Sequence, residues 1–112
     1  MMSVSPYIGE LQKIIRKLHG VKSKHVESVS VKETFRGKTV WDGFVEVFEL
    51  HGHPEAPKVY AWAHDTHDPD KPKQHVTVLH VEPVTSPALA VRAFIVQEYR
   101  NAQAALLTEV GS

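Results

Sequence analysis

The side chains able to do chemistry in this chain are histidines and carboxylates, since it has eight histidines and no cysteine. Without a thiol there is no disulfide framework, no thiolate nucleophile and no cysteine-ligated metal centre. The densest group is His64-Asp65-Thr66-His67-Asp68, with Asp70 and His75 close behind. Imidazole with carboxylate suits zinc, iron, nickel or copper, and His64, His67 and Asp65 are the set that would hold such an ion. Their spacing matches no His-Glu-x-x-His or related motif. A loop this rich in aspartate and proline is expected to be a solvated connection, so metal binding is not expected. A serine–histidine–acid triad can be drawn from Ser28 or Ser30, His25 or His64, and Asp42. No G-x-S-x-G elbow accompanies it. Glu46 and Glu49 have opposite parity on one strand and cannot face one another. His51 and His53 fall on a turn, and His80 is expected at a core edge, bonded to a backbone carbonyl. No catalytic residue and no cofactor is assigned from these patterns. An enzyme built on His64, His67 and Asp65 stands as the alternative to a non-enzymatic role.

The elements that position these groups follow from periodicity. Ile8, Leu11, Ile15 and Leu18 recur at helical spacing between Pro6 and His19. Ser5 and Pro6 form a cap-plus-proline start, and Gly20 supplies a left-handed stop. His25 to Thr34 alternates as a half-buried strand, with Val29 and Val31 on one side. Arg36-Gly37-Lys38 reads as a tight hairpin turn. A second strand is expected over Thr39 to Leu50, with Gly43 marking a bulge. Lys58 to His64 and His75 to Val81 supply two more strands. Ser86-Pro87 then starts a long helix, expected to reach Leu107, with Val91, Ile95, Tyr99, Ala102 and Leu106 on one stripe.

The expected fold is therefore α+β, in two layers. A four-stranded antiparallel sheet carries N- and C-terminal helices packed on one face, in the order α-β-β-β-β-α. One domain spans residues 1–112, with 1–4 and 108–112 expected to fray. Val59, Ala61 and Ala63 share one parity, and Ala61 and Ala63 are small enough to lie under the helices, which leaves Tyr60, Trp62 and His64 on the other face. Thr77, Leu79, Val45 and Val47 are expected to join them there. A bare sheet face carrying such aromatics is a surface for a partner. Tyr60, Trp62 and Leu79 are the expected apolar anchors, with Trp41 at the rim and His64 as a polar contact. The expected role is a non-enzymatic protein-interaction or homodimerising domain, the partner being a second copy or another protein.

Lysine plus arginine equals aspartate plus glutamate, for a formal charge of zero. Nucleic-acid binding draws on a basic excess that is missing here. The order of elements is similar, at the level of fold, to that of double-stranded-RNA-binding domains, which makes an RNA-binding module the third possibility. The last helix opens Ser86-Pro87-Ala88-Leu89-Ala90, without the lysine cluster such a domain would carry. No apolar run is long enough to span a membrane, and the N-terminus has no signal-peptide core. A cytoplasmic protein without membrane contact is expected.

Overall fold

The computed structural model describes residues 6–66 and 68–110, with side chains as far as Gln103. Its elements run α1 (Pro6–His19), β1 (Lys22–Phe35), β2 (Lys38–His51), β3 (Lys58–Asp65), β4 (Lys73–Leu79) and α2 (Pro87–Val110). The four strands form one antiparallel sheet in the order β1-β2-β3-β4. The expected α+β class and element order are both present.

Local chemistry sets the boundaries. Gly20 sits at φ 72° and its N–H closes on the Arg16 carbonyl at 2.9 Å, which ends α1. Arg36 and Gly37 take φ 52° and 78°, the two positive values that a two-residue type I′ hairpin needs. Ser86 caps α2, its hydroxyl accepting the Leu89 N–H at 3.2 Å. The cap expected at Ser5 lies outside the described residues.

The helices do not share a face of the sheet. Leu11 and Ile15 of α1 pack with Phe48, Leu50, Val59 and Ala61. Ala90 and Val91 of α2 pack with Val31, Val45, Val47, Tyr60 and Trp62. Residues of opposite parity on β2 and β3 thus go to different helices, and each face has its own helix-on-sheet core. The expectation of two helices on one face is corrected, and the bare aromatic face falls with it. The physical cause is that β2 and β3 are apolar on both sides, so each side requires a cover.

Both register shifts lie in the β1–β2 pair. Pairing passes from His25↔Phe48 to Glu27↔Val47, so Val26 is an extra residue in β1. It passes from Glu33↔Trp41 to Thr34↔Thr39, so Val40 is an extra residue in β2. Gly43, expected to be a bulge, instead pairs regularly with Val31. Its missing side chain has another use: a Cβ there would stand 3.4 Å from the Trp41 ring, which lies over it.

Candidate functional site

The residues expected to bind a partner are divided between the two cores. Trp62 is 1 % exposed and Tyr60 2 % exposed, both beneath α2. Trp62 meets Trp41 and Phe94 edge-on at 5.5 Å in each case, and His64 lies 5.4 Å from Phe94. Leu79 pairs with Val59 and Thr77 with Ala61, so both belong to the α1 side and cannot join Tyr60. Val45 and Val47 do share a face with Tyr60, as expected. Tyr60, Trp62, Trp41 and His64 are a core constellation, and none of them forms an open docking surface.

The histidine and acid loop separates in a similar way. His64 turns toward Phe94, while Asp65 pairs with Lys73 at 3.2 Å. His67 lies outside the described residues. Among the described residues no three histidine or acid side chains are grouped to hold a metal. His80 bonds the Tyr60 hydroxyl at 2.6 Å rather than a backbone carbonyl. Burial holds the Tyr60 phenol above its ordinary range, and the Glu27 charge adds to this.

The structure assembles a different polar cluster, on the α1 side of the sheet. Glu46 is 5 % exposed, and it is the single buried charged residue among the described ones. It stands in the middle of β2, on the face that also holds Phe48. The His25 Nε2–H donates to its Oε1 at 2.9 Å, and the Ser28 hydroxyl donates to the same oxygen. A carboxylate only accepts, so the histidine hydrogen resides on Nε2 in this contact. His25 also lies 5.3 Å from the Phe48 ring. Ser28 is directly opposite Glu46 in the ladder. In a regular strand, positions 25 and 28 would face opposite ways. The extra residue at Val26 brings them to one side.

The triad drawn from the sequence, Ser28 or Ser30 with His25 or His64, includes two members of this cluster but takes as its acid Asp42, which is exposed on β2. The signal for Glu46 was its single charge within the apolar run Val45 to Phe48. The bulge that completes the set leaves no trace that a period-two reading can detect.

Around Glu46 the surface sinks into an open niche of about 520 Å³, lined by Tyr7, Ser28, Phe44, Glu46 and Ala63. Tyr7 comes from the first turn of α1, and its hydroxyl accepts the Ala63 N–H at 3.0 Å. Burial raises the Tyr7 phenol above its ordinary range. The Ala63 N–H opposes this, and the charge of Glu46 reinforces it. Phe44 forms the outer wall and is 61 % exposed.

A second exposed feature belongs to α2. Ala90 and Val91 are fully buried, whereas every residue from Val96 to Gln103 is exposed. Val96 and Tyr99, one turn apart, are 48 % and 65 % exposed. No helix among the described residues is long and apolar enough to cross a membrane. Comparison with protein-family models, with curated proteins and with solved structures finds no match for this chain.

Proposed function

We propose that this chain is a non-enzymatic interaction domain that pairs with a second copy of itself through the overhanging half of α2. The observation that carries this is the continuity of one helical stripe. Val91 is buried and Ile95 packs against the α2-side core, while Tyr99, next on the stripe, has two thirds of its surface exposed. In sequence the stripe continues through Ala102 and Leu106. A seam that seals a sheet and then runs past it offers the same surface to an identical helix. Two such helices crossing antiparallel make an isologous contact, the commonest form of self-association. Tyrosine suits this position, because its ring buries about 150–250 Å² while its hydroxyl stays wet. Nucleic acid is less well supported, because a formal charge of zero provides no excess to neutralise phosphates. A cytoplasmic setting is part of the proposal and agrees with a chain that has no cysteine to oxidise.

Light scattering on a sizing column tests it. The wild-type chain should elute as a dimer at tens of micromolar, and Tyr99→Asp as a monomer. The melting temperature of the variant extrapolated to low concentration should match that of the dissociated wild type, because Tyr99 makes little of the protomer core. A wild-type monomer at high concentration, or an unaltered dimer after the substitution, would remove the α2 overhang as the interface.

A further inference from the structure

We infer that the niche over Glu46 is a binding site for a primary ammonium group. Four features of the niche point to this ligand chemistry. Its floor is the carboxylate of Glu46, a residue only 5 % exposed, on a face that also holds Phe48, Val59 and Ala61. Burying an acid there is costly unless it is compensated, and both contacts it receives go to one oxygen, from Ser28 and His25. Among the described residues no lysine or arginine pairs with it; its ion-pair partner is His25 at 2.9 Å, which leaves the second carboxylate oxygen without a hydrogen bond from the protein. The walls are two aromatic rings, Tyr7 and Phe44, and aromatic faces attract ammonium groups once these shed water. Finally, Ala63 contributes only a methyl group to the lining, which leaves room for an alkyl chain behind the nitrogen.

The niche selects by charge and by hydrogen count. An alkylammonium carries three N–H donors. One reaches the Glu46 carboxylate, and the others are left for water or for the Ser28 oxygen. A carboxylate or phosphate ligand would face the Glu46 charge with no lysine or arginine in the lining. A neutral alcohol would keep the apolar contact but lose the charge-assisted bond, the stronger of the two. The same ammonium occurs on free alkylamines and on lysine side chains of a protein, and the niche is open enough for either source.

The experiment is a titration of the labelled full chain, followed by amide shifts, with n-butylammonium, n-butanol and butyrate as probes. Saturable shifts at Glu46, Tyr7 and Ser28 are expected with n-butylammonium alone, and Glu46→Gln should weaken that binding about tenfold. Phe44→Ala should weaken it about threefold. Because Phe44 is exposed, this variant keeps the test independent of any folding defect in Glu46→Gln. A blocked lysine tripeptide that binds more tightly than n-butylammonium would identify a protein lysine as the source, and weaker binding a free amine. Equal binding of butanol or butyrate, shifts that never saturate, or a Phe44→Ala variant with undiminished affinity would overturn the site. None of these readouts depends on dimerisation through α2.

Discussion

Trp62 is the largest fully buried side chain among the described residues, and the rings of Trp41 and Phe94 both stand edge-on to it at 5.5 Å. Truncating it would leave a cavity as well as the lost transfer energy. Trp62→Ala should cost about 3–5 kcal/mol, a large part of the stability of an ordinary domain. Urea unfolding should show it as a lower midpoint in dilute solution, where association plays no part. A smaller contribution with a definite pH signature comes from His19. Its Nε2 lies 3.0 Å from the Thr77 hydroxyl, and its ring is edge-on to His53 at 6.2 Å. Burial lowers its pKa below the ordinary 6.5, and the neighbouring His53 lowers it further. A folded-state pKa below the unfolded one means the neutral ring is favoured by folding. The stability it contributes is fully present above about pH 6.5 and is lost as pH falls through the depressed folded value. Wild type should therefore lose more stability between pH 7.5 and pH 5 than His19→Gln does, as read from denaturant midpoints. An identical slope in the two proteins would show that His19 is not part of the acid response.

At the scale of the elements, the β1 bulge is the most consequential single residue. Val26 is 43 % exposed, so Val26→Ala should change stability by no more than about 0.5 kcal/mol. Deleting Val26 is a different perturbation. It would join His25↔Phe48 directly to Glu27↔Val47 and straighten the strand, while residues 22–25 keep their partners. Ser23 and His25 would stay on the α1 side, opposite Leu50 and Phe48, with Lys22 and Lys24 still on the other face. The His25–Glu46 bond should then survive, and the deletion should cost less than about 2 kcal/mol. Comparing the denaturant midpoints of the two variants separates the side chain from the bend that the extra residue puts into the strand. The same bulge marks the limit of what was legible beforehand. Helix α1 was readable to its residue bounds, because Pro6, Gly20 and the Leu11–Ile15 spacing are local signals. The I′ turn at Arg36-Gly37 was readable for the same reason. Face assignment was not, because it depends on pairing between strands. Thr77 and Leu79 were placed with Tyr60, and only the register Ala61↔Thr77 shows them opposite it. The division of the helices was legible in principle. Two apolar faces and two apolar helices have a solution that leaves nothing bare, and the expectation of a shared face passed over it.

Across the whole molecule, the extents of 54 × 32 × 29 Å show an elongated chain, and its formal charge is zero with a sequence pI near 7.1. A protein without net charge near neutrality has little colloidal repulsion to keep copies apart. Acidification would change this through eight histidines, which set an upper limit of +8 on the added charge. The structure shows that these groups are not equivalent: His51 is exposed, and His19 and His64 are partly buried in different cores. His19, whose pKa burial lowers, should take up its charge at a lower pH than a free imidazole. Solubility, measured as the polyethylene glycol concentration at which the chain precipitates, should be lowest near pH 7 and clearly higher at pH 5.5. The same positive charge on each protomer opposes pairing of two copies, so the proposed α2-mediated dimer should weaken over the same interval. Salt distinguishes this from local unfolding. At physiological ionic strength, charges more than about 8 Å apart are already largely screened. Raising salt further at pH 5.5 should restore the dimer if repulsion weakened it, and should leave it dissociated if acid had instead disrupted the fold through His19.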